Sequence, residues 1–295
     1  MADLAEREGF IWMDGKLIPW RESRLHVLSH GLHYGTSVFE GVRAYGGRLF
    51  KLTAHSRRLV RSAELMSFPL PYDVETLDRA TEEVVRANGI QDGYVRPIAW
   101  LGSEDIGLAA PDARVHVAIA AWSWPAVFGQ DAQAQGIRVR TTRWTRMHPS
   151  MLPVKAKTAG VYATGVLARR ESAQAGFDDV LILDHQGFVA EASGANLFLV
   201  ERGRLVTPLA DSFLDGITRA VVIELARERG LEVSEERVSL GRLREADEVF
   251  LTGTAYEVQP VRAIDDRVYP VGEVSRRLVG AYQARVRGER AAHVP

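Results

Sequence analysis

The sequence contains no cysteine, and lysine is scarce among its cations. Without cysteine the chain has no thiol nucleophile, no disulfide and no cysteine-ligated zinc. Of the 37 basic residues only Lys16, Lys51, Lys155 and Lys157 are lysines, which leaves 33 arginines. Since arginine serves almost wherever a cation is needed, a retained lysine draws attention to chemistry that requires a primary amine, such as Schiff-base formation.

Long apolar runs and an excess of charge are also missing. No apolar run approaches the roughly 20 residues that cross a bilayer. The 38 acidic residues nearly balance the 37 basic ones, giving a net charge of -1. We therefore expect neither nucleic acid nor a membrane as a partner. The first ten residues, MADLAEREGF, lack the basic and then apolar order of a secretory signal, so we expect a cytoplasmic location.

Several common catalytic motifs are absent. The sequence has no G-x-x-x-x-G-K-[ST], no G-x-G-x-x-G after a strand, no H-E-x-x-H and no G-x-S-x-G. These absences argue against the usual nucleotide, zinc and serine-hydrolase sites. His30 and His33 lie close together, but no acidic cluster accompanies them at ligand spacing, so no metal site is expected.

The remaining pattern is that of a mixed α/β protein with two domains. Hydrophobic residues make up 46% of the 295 residues, enough for sizeable cores. Strands and helices alternate on both sides of a polar, glycine-bounded segment at 125–136. This pattern predicts an N-terminal domain over 1–124, an interdomain loop over 125–136 and a C-terminal domain over 137–295. Helices are expected at 54–66, 74–88, 161–175, 217–229 and 273–287.

Two lysines stand directly before a predicted helix, in PVKAKTAGVY at 153–162. An amine in a confined apolar setting can condense with an aldehyde, and pyridoxal phosphate is the aldehyde that enzymes use in this way. That cofactor also needs a carboxylate, phosphate donors and a hydroxyl. Glu191 and the helix start at DGITR (215–219) are candidates for the first two. On the residues alone, Glu191 could equally be a solvated loop carboxylate, and an ordinary capped helix is the favoured interpretation of DGITR. The residues are compatible with a cofactor site but do not require one.

Seven separated motifs resemble those of branched-chain aminotransferases, in the same order and spacing. The motifs are HYGTSVFEGVRAY at 33–45, HSRRL at 55–59, YVRP at 94–97, PVKAKTAGVY at 153–162, EASGANLF at 191–198, DGITR at 215–219 and ADEVFLTGTAYEVQPV at 246–261. The resemblance spans about residues 9–287. It implies a two-domain pyridoxal-phosphate enzyme of fold type IV, α/β plus α+β, with an N-terminal α/β domain and a C-terminal pseudo-barrel.

The resemblance also implies a role for individual residues. Lys157 matches the Schiff-base lysine, and Glu191 matches the carboxylate on the pyridine nitrogen. Tyr162 matches the hydroxyl beside the ring oxygen. The implied phosphate contacts are Arg58, Ile217, Thr218 and Thr254. The implied substrate pocket consists of Tyr34, Phe39, Gly41, Arg43, Tyr94, Arg96, Trp124, Val127, Thr254 and Ala255, with Tyr34 lent across a dimer interface.

Four positions depart from the family pattern. Val161 replaces a usual asparagine, Ala195 a glutamate, Tyr256 a small residue and Val127 a pocket tyrosine. The valine removes a hydroxyl that could help Arg96 hold a carboxylate, unless Tyr34 or Tyr256 supplies another. The valine at 127 also opens volume beside Trp124, which predicts secondary activity toward aromatic amino acids or (R)-amines.

The predicted reaction is transamination between branched-chain L-amino acids (Leu, Ile, Val) and 2-oxoglutarate, by a homodimer or a dimer-based hexamer with pyridoxal 5'-phosphate. The alternatives are a D-amino acid or (R)-amine transaminase, an aminodeoxychorismate lyase, and an inactive binding protein of the same fold. Arg43 and Arg96 favour the branched-chain interpretation over the first two. Retention of Lys157, Glu191, Arg58 and Tyr162 argues against the third.

Overall fold

The structure, a computed structural model, describes residues 3–124 and 128–288. The chain divides into two compact units. One consists of Met1–Pro125 with Ala156–Gly160, and the other of Ala126–Lys155 with Val161–Pro295. The segment Ala156–Gly160 therefore clusters with the first unit, whereas the sequence-based boundaries placed it in the C-terminal domain.

The first unit is one antiparallel sheet covered by two long helices. Its elements are β1 (Phe10–Met13), β2 (Lys16–Pro19), α1 (His30–Tyr34), β3 (Ser37–Phe39), β4 (Val42–Tyr45), β5 (Arg48–Leu49), α2 (Leu52–Leu65), α3 (Val74–Ala87), β6 (Gly93–Leu101) and β7 (Val115–Ser123). The strand order is β2-β1-β7-β6-β4-β5, and β3 also pairs with β6. The apolar faces of α2 and α3 pack on the sheet around Leu59, Val84 and Ile119.

The second unit is built on a sheet that closes on itself. Its elements are α4 (Gln130–Gln135), β8 (Ile137–Thr145), α5 (Ala159–Gln174), β9 (Asp179–Leu183), β10 (Val189–Glu191), β11 (Asn196–Glu201), β12 (Arg204–Pro208), α6 (Ile217–Glu228), β13 (Val233–Glu236), α7 (Leu240–Arg244), β14 (Glu248–Gly253), β15 (Glu257–Ile264), β16 (Arg267–Val268) and α8 (Glu273–Arg287).

The closure comes from one additional strand pairing. The strands β10, β9, β8, β15, β14 and β11 follow one another, and β10 also pairs with β11. The ring is parallel where β8 meets β9 and β15, and antiparallel elsewhere. Side chains such as Leu181, Leu197 and Leu251 fill its interior, as expected for so small a barrel. The predicted mixed architecture with a C-terminal pseudo-barrel is confirmed.

Most predicted elements are present, with shifts at their ends. The helix at 74 begins as predicted, because the Asp73 carboxylate accepts the N–H of Thr76 at 2.8 Å. The helix at 54 instead begins at Leu52, after Lys51 with a left-handed φ of 55°. Within the predicted interdomain loop over 125–136, Gln130–Gln135 forms the short helix α4. Alanine and glutamine favour helix there once glycines bound the segment.

Candidate active site

The backbone around Lys157 is fixed by two elements of the first unit. The N–H of Phe39 donates to the Lys157 carbonyl at 3.0 Å. The N–H of Lys157 donates to the buried Ser62 hydroxyl on α2 at 2.9 Å. Thr158 forms a β-bridge with Val38, which explains why this segment clusters with the first unit. The lysine therefore leaves a backbone that both a strand end and a helix hold in place.

The two neighbouring lysines lie in different environments. Lys155 is exposed, and its ammonium donates to the backbone carbonyl of Ala210. Lys157 is half-buried, and its Nζ lies 4.8 Å from the centre of the Phe39 ring. An amine against an aromatic face in a partly desolvated site is suited to covalent chemistry with a carbonyl. The environments thus favour Lys157 as the reactive amine.

The Phe39 ring brings a second cation close to this amine. The guanidinium carbon of Arg96 lies 4.9 Å from the centre of the same ring and 5.4 Å from that of Tyr94. The Nε of Arg96 is buried without a hydrogen-bond partner among the residues the structure describes. A buried donor without a partner is costly, so the position suits an anionic ligand such as a carboxylate.

Tyr94 and its neighbours form a packed aromatic wall beside Arg96. Tyr94 is buried and meets the Trp124 ring edge-on at 4.8 Å. At Gly41 a Cβ would overlap the Tyr94 hydroxyl, so any larger residue would force the buried Tyr94 ring to move. Arg43, opposite Tyr94 on the neighbouring strand, is buried and donates to the Trp124 carbonyl at 3.4 Å. The first unit therefore holds six of the predicted pocket residues, from Phe39 to Trp124, around a single aromatic cluster.

Arg58 pairs with a carboxylate that sequence analysis did not identify. Its Nε and Nη2 donate to the Glu40 carboxylate at 2.6 and 2.9 Å. His55 Nδ1 lies 2.7 Å from the same carboxylate. Burial raises the pKa of Glu40, but Arg58 and His55 together outweigh it and hold the pKa well below its usual range. Burial, opposed by Glu40, lowers the pKa of His55, so this imidazole is neutral at neutral pH.

Glu191, at the end of β10 in the second unit, is buried and doubly held. Its Oε1 lies 2.9 Å from Nε of the buried Arg146. Its Oε2 accepts from the Asn196 amide at 3.2 Å. Arg146 also donates to the carbonyls of Ala192 and Ser193 at 2.8 and 3.3 Å, so it fixes the turn that follows the glutamate. The sequence predicted the Glu191 carboxylate as a functional group but did not identify Arg146 as its partner.

The start of α6 provides backbone donors in the second unit. Gly216 is the N-cap and no side chain caps the helix, so the first-turn N–H groups at Ile217 and Thr218 are available to an anion. A Cβ at Gly216 would overlap the Asn196 amide oxygen. Arg219 is almost fully buried and pairs with Asp215 and Glu235 at 2.9 and 2.6 Å. These contacts fix the helix start.

The turn between β14 and β15 carries Thr254, Ala255 and Tyr256. The Tyr256 hydroxyl lies 3.2 Å from the Ser193 hydroxyl and 3.4 Å from Arg169. Burial, with Asp179 as the next cause, raises the pKa of Tyr256 above its usual range. The Tyr256 hydroxyl already contacts Ser193, in the turn after Glu191, and Arg169. These contacts argue against Tyr256 as the residue that replaces the hydroxyl missing at Val127.

The other predicted site residues occupy varied positions. Tyr162 is half-buried in the first turn of α5, next to Val161. Tyr34, in α1, is about half exposed and tilts against His30 and His33. Ala195 packs in the second unit's core, where it faces Gly253. Val127 lies outside the described residues.

Each unit carries functional groups of the kinds that pyridoxal phosphate needs. The first unit offers an amine on Lys157 and a cation on Arg58. The second offers a buried carboxylate on Glu191, a phenol on Tyr162 and an uncapped helix start at Ile217. These are the groups required by an aldehyde, a phosphate, a pyridine nitrogen and a ring hydroxyl. The residues present therefore fit the cofactor.

Membrane-spanning helices and metal clusters are both missing from the described ranges. Across residues 3–124 and 128–288, no helix is long and apolar enough to cross a membrane. In the same ranges, no three histidine, aspartate or glutamate side chains gather into a group that could hold a metal ion.

Comparisons with known proteins point to one family. The model of the amino-transferase class IV family matches residues 37–264. The branched-chain-amino-acid aminotransferase of Pseudomonas aeruginosa is 43% identical over 98% of this chain and 97% of that protein. Two crystal structures of a T.th. branched-chain amino acid aminotransferase each cover 97% of this chain and 96% of their own. One, with pyridoxamine 5'-phosphate, has a TM-score of 0.93 at 42% identity. The other, with N-(5'-phosphopyridoxyl)-L-glutamate, has a TM-score of 0.90 at 41% identity.

Proposed function

Because the chain belongs to the amino-transferase class IV family, we propose that it transfers amino groups between branched-chain L-amino acids (Leu, Ile, Val) and 2-oxoglutarate, with pyridoxal 5'-phosphate as cofactor. Relatives with this activity in their names match almost the full length of the chain at about two-fifths identity. A similar structure carries a phosphopyridoxyl-glutamate, which supports glutamate and its oxo acid as one substrate pair. The chain is an aminotransferase.

The observation within the chain that carries the proposal is the pair of cations on Phe39. The Lys157 amine and the Arg96 guanidinium lie 4.8 and 4.9 Å from one ring centre. Transamination needs an amine that moves a proton and a cation that orients a carboxylate. In the first unit, the amine of Lys157 and the guanidinium of Arg96 both contact the ring of Phe39.

When bound, pyridoxal phosphate supplies an electron sink conjugated to the substrate's α-carbon. Lys157 would hold the cofactor through its aldehyde and would move the substrate's α-proton as acid and base. Glu191 would keep the pyridine nitrogen protonated, and Tyr162 would donate a hydrogen bond to the ring oxygen. The phosphate would be bound by Arg58, Thr254 and the backbone N–H groups of Ile217 and Thr218.

The substrate pocket has to accept both an aliphatic and an acidic side chain. Arg96 pairs with the side-chain carboxylate of glutamate or 2-oxoglutarate, and its buried Nε supplies a donor for it. The Phe39, Tyr94 and Trp124 rings provide apolar surface for leucine, isoleucine and valine. Gly41, Arg43 and Ala255 complete the proposed pocket. The predicted effect of Val127 on aromatic and (R)-amine donors stays a prediction.

A donor panel tests the substrate class directly. With 2-oxoglutarate as acceptor, L-leucine, L-isoleucine and L-valine are expected to give the highest kcat/KM, measured by glutamate formation. D-alanine and (R)-1-phenylethylamine are expected to react weakly or not at all. Preferred turnover of either of these two would favour the D-amino acid or (R)-amine alternative. Release of pyruvate from aminodeoxychorismate would favour the lyase.

An exposed apolar strip in the first unit supports a homodimer. Leu25, Val27, Leu32 and Leu108 are exposed large hydrophobic residues. His30 joins the two segments that carry them, because its Nε2 contacts the carbonyl of Gly107 at 3.1 Å. Contiguous exposed apolar surface marks interaction sites, and in this family the dimer lends a tyrosine that matches Tyr34.

A charged side chain introduced into this strip by substitution is therefore expected to dissociate the dimer. The variant Leu108→Asp should sediment as a monomer, whereas the unaltered protein sediments as a dimer or a larger assembly of dimers. Sedimentation velocity at several concentrations measures this. An unaltered protein that stays monomeric would contradict the proposal. The domain boundaries 1–124 and 137–295 and a cytoplasmic location stay predictions.

A further inference from the structure

Glu40 is a fully buried glutamate inside the proposed pocket segment Phe39–Gly41. Its exposed fraction is zero, and its backbone N–H donates to the Pro97 carbonyl at 2.8 Å. A buried carboxylate is expensive unless every oxygen is paired. Glu40 meets that condition through Arg58, His55 and its neighbour Gly41. None of the roles assigned above uses this residue.

The contact with Arg58 is a two-point fork. Nε donates to one carboxylate oxygen and Nη2 to the other, at 2.6 and 2.9 Å. A guanidinium has five N–H donors in a fixed plane, so a fork on one edge determines the direction of the opposite edge. His55 packs against the second oxygen at 2.7 Å, which limits sliding of the carboxylate.

We infer that Glu40 is a positioning residue, which orients the Arg58 guanidinium for the cofactor's phosphate. The inference rests on the proposed role of Arg58. Without the fork, the long Arg58 side chain would sample several rotamers. The conformational entropy lost on fixing one of them would then weaken phosphate binding. Since Glu40 lies between two proposed pocket residues, it also ties α2 to the segment Phe39–Gly41.

Charge and orientation make opposite predictions for Glu40→Gln. By Coulomb's law alone, removal of a negative charge beside Arg58 should strengthen its attraction for a phosphate dianion. Loss of the fork should weaken phosphate binding, because glutamine accepts on only one of its two atoms. The direction of the change in affinity therefore separates the two effects.

The experiment compares two ligands that differ only in the phosphate. Apoenzyme is titrated with pyridoxal 5'-phosphate and with pyridoxal, and binding is followed by the absorbance of the bound ligand. For Glu40→Gln, the Kd of pyridoxal 5'-phosphate should rise about tenfold, as for one lost bond to a charged group. The Kd of pyridoxal should stay unchanged, which also shows that the rest of the site is intact.

Three further variants complete the design. Glu40→Asp keeps the charge but shortens the side chain, so it should show the same phosphate-selective loss. If Glu40→Gln does not fold, Glu40→Asp alone tests the positioning role of Glu40. Arg58→Met should lose phosphate selectivity fully, and Glu40→Gln should add nothing in that background. Glu64→Gln, which changes a half-exposed glutamate on the same helix that pairs with Arg61, is the matched control and should bind both ligands normally.

Each remaining outcome contradicts a distinct claim. If Arg58→Met shows no phosphate-selective loss, the proposed role of Arg58 fails. If Arg58→Met shows the loss but both Glu40 variants bind pyridoxal 5'-phosphate as well as or better than the unaltered protein, only the positioning role fails. Equal weakening of both ligands by the Glu40 variants would mean that Glu40 supports the site as a whole, which also overturns the inference.

Discussion

Replacing Lys157 with alanine is expected to abolish transamination while leaving the fold intact. General acid–base catalysis by a positioned side chain contributes about 10²–10⁴-fold, and Lys157 also forms the covalent link, so kcat should fall by at least about 10³-fold. The lost side chain is half-buried, and its backbone contacts to Phe39 and Ser62 do not depend on it. Steady-state kinetics with L-leucine and a thermal melt test both parts.

Lys155 provides the matched control. It lies two residues away and has the same side chain, but it is exposed and its ammonium donates to a backbone carbonyl. Lys155→Ala should therefore retain activity close to that of the unaltered enzyme. A larger loss for Lys155→Ala than for Lys157→Ala would mean that the two lysines exchange roles.

Replacing Glu191 with glutamine is expected to retain cofactor and lose most activity. Glutamine cannot stabilise a proton on the pyridine nitrogen as a carboxylate does, and a hydrogen bond to a charged group is worth about 1.5–3 kcal/mol. Activity should fall about 100-fold, since each 1.4 kcal/mol corresponds to about tenfold in rate. Phosphate contacts and Lys157 do not involve this side chain. Kinetics and the cofactor content of the purified variant provide the measurement.

Arg146 makes the choice of a control important for this prediction. Removing the Glu191 charge leaves a buried guanidinium without its carboxylate, which destabilises the second unit. Glu191→Asp keeps the charge and should melt closer to the unaltered protein than Glu191→Gln does. Glu232→Gln changes an exposed glutamate of the same unit and should alter neither activity nor cofactor content. Near-normal turnover of Glu191→Gln would refute the role of Glu191.

Sequence patterns predicted the helices well where local signals agree. Asp73 begins one helix by accepting the N–H of Thr76, and Gly288 in a left-handed conformation ends the last. The three short strands between Ser37 and Leu49 were not predicted, since two to four residues carry too little periodicity. Their pairing with the rest of the sheet and with each other is set by long-range contacts.

The identities of the site residues came from the family resemblance rather than from local physics. Local physics drew attention to Lys155 and Lys157 alike, because lysine is scarce in this sequence, and only the resemblance chose Lys157. For Glu191, local physics left a solvated carboxylate open as the alternative. Glu40 and Arg146 were missed, because each is recognised only by its partner far away in the sequence. A charged residue within an apolar strand segment, as at Glu40 in SVFEGV, is the signal that could have found one of them.

The proposed mechanism requires that one particular amine, that of Lys157, holds the cofactor. Purified enzyme should be treated with borohydride to fix the cofactor to its amine, then digested and mapped by mass spectrometry. A single phosphopyridoxyl adduct is expected, on Lys157. An adduct on Lys155, or on no lysine at all, would contradict the proposed mechanism.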